Sequence, residues 1–122
     1  DMLKKYIHIP HNLWEGIYQT GSTVICDPPV TDTDEDYIIC TTIFWELDKF
    51  LLDNGFTKTS EDNDEYEIEG EEFYCYRKDH INLIVTESYE WYLKWTLATK
   101  LAKQFKLNDK KDRITLFKLI LE

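Results

Sequence analysis

Three cysteines, Cys26, Cys40 and Cys75, are all the chain has, and no two stand in C-x-x-C spacing. An odd, widely separated set argues against a disulfide framework or a zinc site and fits reduced thiols in half-buried strands, as in a cytoplasmic protein. Long apolar runs are missing too. Nothing approaches the roughly 18 residues of a membrane span, and no charged-then-apolar leader opens the chain, so no membrane partner is expected. Positive charge is short: 14 Lys and Arg face 24 Asp and Glu, for a net charge of −10. That deficit excludes a protein that coats nucleic acid nonspecifically, because such binding runs on cations neutralising phosphates.

What is present suits one folded domain over 1–122. The chain is long enough to bury a core without staples. It is 43% hydrophobic and 15% aromatic, with four Trp and eight Tyr that chiefly serve a core. The charge is uneven. Residues 1–86 carry six basic and nineteen acidic groups, whereas residues 87–122 carry eight basic and five acidic. A basic last third either faces a polyanionic ligand or is balanced by i,i+4 pairs along helices.

The pattern predicts an N-terminal segment over 1–15, in which Leu3, Tyr6 and Ile7 stand at helical spacing and Pro10 ends any helix that forms. His8 and His11 are three apart, with Pro10 breaking the face that a shared metal would need. A strand ends at Thr20, and Gly21-Ser22 forms a turn fit to grip an anion: Gly admits close backbone approach, and Ser adds a hydroxyl and an N–H near a short helix start. Pro28-Pro29 stiffens the link that follows and favours an extended Asp27. A second strand takes in Tyr37–Cys40. Thr41 or Thr42 caps a helix running to about Asn54, with Phe44, Leu47 and Leu51 buried beside Ile43 and Phe50, and Gly55 just beyond it.

Between Glu61 and Glu72 eight of twelve residues are acidic, interleaved with Tyr66 and Ile68. This reads as a short charged edge strand, or as an acidic patch with Glu67, Glu69, Glu71 and Glu72 that docks to a basic protein. Phe73–Arg77 and Ile81–Thr86 follow as strands. The 87–122 region is helical: Trp91, Trp95, Ala98, Ala102 and Phe105 share one face with Leu97 and Leu101 alongside, and Lys94, Lys100, Lys103 and Lys106 lie on or beside the polar face. Asn108 or Asp109 caps a last helix that buries Ile114, Leu116, Phe117, Ile120 and Leu121.

Asp32, Asp34 and Asp36 alternate, so a strand turns their carboxylates one way. Such a cluster is either a solvated acidic turn or a holder of divalent cations. A calcium loop is ruled out, because its sixth position, where the turn requires Gly, is Tyr37 and its twelfth, where a bidentate Glu is required, is Ile43.

An apolar run ending in Thr20-Gly21-Ser22, a spacer of eleven residues, then Asp34-Glu35-Asp36-Tyr37 resembles the signature of the DNA polymerase β-like nucleotidyltransferase superfamily. Glu35 departs from the apolar residue usual between the acids. The later segments Ile81–Thr86, Glu90–Trp95 and Ala98–Lys103 look like the small nucleotidyltransferase-like proteins of tailed bacteriophages, which extends the resemblance over about residues 16–120 and implies residence in host cytoplasm. The resemblance implies a minimal nucleotidyltransferase fold of the α/β (α+β) class: a small mixed sheet backed by helices. It further implies a nucleoside triphosphate on Gly21 and Ser22, Mg²⁺ or Mn²⁺ on Asp34 and Asp36, and transfer of a nucleotidyl group to a nucleic-acid or protein acceptor.

The third carboxylate of the superfamily matches Asn82 here, so Asp34, Asp36 and Asn82 make the expected catalytic set. An amide is a neutral, weaker ligand and no base near neutral pH. Either transfer is slow or absent, or Asp32 or Glu72 supplies the missing charge. The rival reading is a catalytically decayed, phage-encoded binding module that inhibits a host protein through the acidic surface.

Overall fold

A computed structural model of the chain describes residues 2–31, 33–59 and 73–122. Two short 3-10 turns, Met2–Lys5 and His11–Leu13, precede strand β1 (Gly16–Thr20), the one-turn helix α1 (Ser22–Ile25), β2 (Glu35–Cys40), α2 (Phe44–Asp53) and β3 (Thr57–Thr59). Then come β4 (Phe73–Lys78), β5 (Ile81–Thr86), α3 (Tyr89–Gln104) and α4 (Lys110–Leu121). The strands form one mixed sheet in the order β1-β2-β5-β4-β3. β2 and β5 run parallel, with Asp36 opposite Asn82, and the other described pairings are antiparallel. This is the small α+β architecture expected, a mixed sheet backed by helices.

Both faces of the sheet are covered, which is why β5, at its centre, is buried at all six residues. On one face Ile38, Cys40, Cys75 and Ile84 pack against Trp91, Trp95, Ala98 and Ala102 of α3 and Phe117 and Leu121 of α4. On the other, Tyr37, Ile39, Leu83 and Val85 meet Phe44, Leu47 and Leu51 of α2, together with Leu3 and Ile9 of the N-terminal segment. All three cysteines are buried and none is in a disulfide, Cys26 in the loop after α1 and the other two in strands.

Several local expectations need correction. The residue capping α2 is Ile43, and Thr41 helps from further out, its hydroxyl accepting the Ile43 N–H at 3.1 Å. Gly55, at φ +89°, lies one residue past the α2 C-cap as the pattern required. The Leu97 and Phe105 side chains point outward, 49% and 62% exposed, because α3 turns its Trp91, Trp95, Ala98 and Ala102 stripe, with Tyr92 and Thr99, inward. Asp109 is the cap of α4, and only Phe117 and Leu121 of that helix are fully buried. The Asp27–Pro28 peptide is cis. Pro10 does not hold His8 and His11 apart, since their rings meet edge-on with centroids 6.3 Å apart. The Tyr66 and Ile68 strand and the acidic residues Glu67, Glu69, Glu71 and Glu72 lie outside the described residues, as does Asp32.

Candidate functional site

Sheet register builds the site. Thr20 is paired with Asp36, Asp36 with Asn82, and Asn82 with Arg77, so four polar side chains from β1, β2, β5 and β4 form one row on the α3/α4 face. The next row inward, Tyr18, Ile38, Ile84 and Cys75, belongs to the apolar core. The polar row therefore marks the end of the sheet where hydrophobic cover stops. There it lines a cavity of about 640 Å³, joined by Gly21, Ser22 and Asp34, and by Lys110 and Arg113 of α4.

Each member is held by a specific contact. Thr20 is buried, its hydroxyl accepting the Trp95 indole N–H at 3.0 Å and sharing a 2.7 Å hydrogen bond with Thr99. This pins the end of β1 to α3 and fixes the turn that follows. Gly21 has φ +82°, and a Cβ there would lie 2.2 Å from Asp36 Oδ2, so the turn presses on the carboxylate in a way only glycine permits. Ser22 is the first residue of α1, as the short helix start predicted.

Asn82 donates from Nδ2 to Asp36 Oδ1 at 3.1 Å, and Arg77 donates to Asp34 Oδ2 at 2.7 Å. Burial pushes the Asp36 carboxyl up to about 6; the Asn82 hydrogen bond lowers it, the Asp34 charge raises it, and Arg77 and Lys110 lower it. Asn82 is only 7% exposed, and its Oδ1 is buried without a hydrogen-bond partner.

Asp34, Asp36, Asn82, Gly21 and Ser22 thus line one cavity, and Asp36 and Asn82 touch. Glu35 points away from it, toward the α2 side, where it accepts the Tyr6 hydroxyl at 2.7 Å and the Tyr37 hydroxyl at 2.9 Å. Its departure from an apolar residue therefore serves two phenols of the N-terminal face. The basic last third divides. Lys110 and Arg113 line the cavity, whereas Lys94 pairs with Glu90, Lys106 with Asp27, and Lys100 sits over the Tyr18 ring.

Arg77, Lys110 and Arg113 carry no expected site role in the sequence, and Thr20 enters there only as the strand end before Gly21. Arg77 had a signal, being the polar third member of the Phe73, Cys75, Arg77 alternation. Among the described residues no three His, Cys, Asp or Glu side chains gather as a metal-holding group. The carboxylates that line the cavity are those of Asp34, which Arg77 also pairs with, and Asp36, and the Asp34 charge contributes to the raised Asp36 carboxyl. A hard divalent cation between them would relieve their repulsion, so the pair fits Mg²⁺ or Mn²⁺.

A scan against protein-family models finds no match, and searches of curated proteins and of solved structures find none either.

Proposed function

We propose that the protein binds a nucleoside triphosphate with a divalent cation in the 640 Å³ cavity and transfers its nucleotidyl group to an acceptor hydroxyl. The observation that carries this reading is the Asp36–Asn82 pair across the parallel strands β2 and β5, with the Gly21-Ser22 turn closed against Asp36. Phosphate-gripping turn, paired carboxylates and a third polar position on the neighbouring strand are the parts that phosphoryl chemistry needs in one place.

Asp34 and Asp36 would hold the cation, which when bound neutralises phosphate charge. Gly21 and Ser22 offer backbone N–H groups and a hydroxyl to the phosphates, and Lys110 and Arg113 of α4 supply positive charge to the cavity. In the reaction the acceptor oxygen bonds to the α-phosphorus and the bond to pyrophosphate breaks. The hydroxyl proton goes to the Asp36 carboxylate or to water, since the Asn82 amide cannot take it. Transfer without a third carboxylate is expected to be slow.

The test is transfer of label from α-³²P nucleoside triphosphates into macromolecules of a bacterial lysate, with Mg²⁺ or Mn²⁺. Labelling by the wild type and none by the Asp34→Asn/Asp36→Asn variant is the expected result, and it names the acceptor class. Absence of label with either metal would leave nucleotide binding without transfer.

A further inference from the structure

α3 is apolar on two sides. Its Trp91, Trp95, Ala98 and Ala102 side enters the core with residues of the sheet and of α4, while Tyr92 closes on Gly16 and Thr99 on Thr20 of β1. On the outward side stand Tyr89, Leu93 and Leu97, at i, i+4 and i+8 and therefore in one line, 56%, 47% and 49% exposed. Single surface leucines are ordinary, but three large apolar residues lined up along a helix are the pattern of one that packs on another helix.

Charge along α3 says what that other helix is. Glu87 and Glu90 stand at its start, and Lys94 and Lys100 follow. Two copies of α3 laid antiparallel about Leu93 bring Tyr89 level with Leu97 of the second copy, and Leu93 level with its counterpart. In that alignment Glu90 falls two residues, about 3 Å along the axis, from Lys94 of the second copy, and Glu87 falls one residue from its Lys100. A parallel alignment would instead set Glu90 on Glu90 and Lys94 on Lys94. The Glu90 side chain is 80% exposed, and its 3.5 Å contact with Lys94 in the same helix uses only one carboxylate oxygen. The helix also lies in the last third of the chain, with its eight basic and five acidic groups, where two copies of net charge −10 meet with least repulsion.

We propose that the outward face of α3 is a self-association surface, on which two copies pair antiparallel through Tyr89, Leu93 and Leu97 while Glu90 and Lys94 cross at the flank. One helix from each copy makes a small interface, so the expected dissociation constant is about 100 μM.

Sedimentation velocity of the full chain from about 10 to about 500 μM tests this, and the wild type is expected to pass from monomer to dimer across that range. Leu93→Glu, which sets two carboxylates face to face on the two-fold axis, should weaken the dimer at least about tenfold, and Leu97→Glu should do the same. Leu52→Glu, at a similarly exposed leucine of α2 across the sheet, should leave it unchanged. Glu90→Lys and Lys94→Glu should each weaken it about three- to tenfold, because the two-fold axis repeats every pair. An equimolar mixture of these two variants should recover the dimer, since each supplies the charges that the other lacks. Circular dichroism separates loss of pairing from loss of folding, and the two leucine variants keep the outcome from hanging on either one. A dimer that survives both leucine variants, or a mixture no better than either charge variant alone, overturns the proposal. So does a wild type that stays monomeric throughout, which would leave the stripe to a partner of different sequence.

Discussion

Asp36 stands under two opposing demands, burial against its charge and a row of partners that need it ionised. Its carboxyl is raised to about 6, above the value near 4 of an unfolded chain. The folded protein therefore holds that proton more tightly than the unfolded one. The resulting stability is fully present below about pH 4 and is lost as pH rises through 6, amounting to about 2–3 kcal/mol. Urea unfolding at pH 5 and pH 8 should show the wild type losing about 1–1.5 kcal/mol more than Asp36→Asn between the two, because part of the effect is already lost by pH 5. A cation bound beside Asp36 displaces the proton, so Mg²⁺-dependent binding should strengthen from pH 5 to pH 7. At Gly21 the constraint is steric. Gly21→Ala must either leave φ +82° or push the Asp36 carboxylate aside, with an expected loss of about 1–3 kcal/mol in urea unfolding and of triphosphate binding.

At the scale of elements, periodicity made most of the architecture readable. The alternation in β4 and the continuous apolar run of β5 announced strands, and the Phe44, Leu47, Leu51 spacing announced α2. β3 was hidden because Thr57–Thr59 carries no apolar alternation; it owes its place to side-chain contacts that only the fold assembles. Lys58 Nζ lies 3.3 Å from Asp48 Oδ1 and 4.5, 5.0 and 5.2 Å from the ring centroids of Tyr74, Phe44 and Trp45. Asp48 in turn accepts the Tyr76 hydroxyl at 2.5 Å, so one buried acid and one cation tie α2 to β3 and β4. Lys58→Met is expected to cost about 1–2 kcal/mol in urea unfolding and to speed amide exchange in β3. Lys49→Met, which removes an exposed i,i+4 pair with Asp53, should change stability by under about 0.5 kcal/mol. The outward Leu97 and Phe105 escaped sequence reasoning for a related cause: α3 is apolar on more than the stripe it buries, so composition alone does not orient it.

Across the whole molecule, the cavity-lining residues that sit in short signatures are legible in the sequence, and those that reach the cavity through register or distance are not. Gly21, Ser22, Asp34 and Asp36 fall within one sixteen-residue window. Arg77 enters only because β4 lies beside β5, and Lys110 and Arg113 only because α4 folds back over the sheet end. The uneven charge noted from composition gains a specific meaning there, since Lys110 and Arg113 of the basic last third line the cavity in which the proposed triphosphate would sit. Lys110→Ala is expected to weaken triphosphate binding about three- to tenfold, whereas Lys103→Ala, whose side chain lines a different depression beside Asp27, should leave it unchanged. The measurement closest to the central claim is calorimetric titration of the four nucleoside triphosphates with Mg²⁺ into the wild type and Asp36→Asn. Mg²⁺-dependent binding by the wild type that falls at least tenfold in Asp36→Asn is the predicted result; equal binding by both, or none by the wild type, would contradict it.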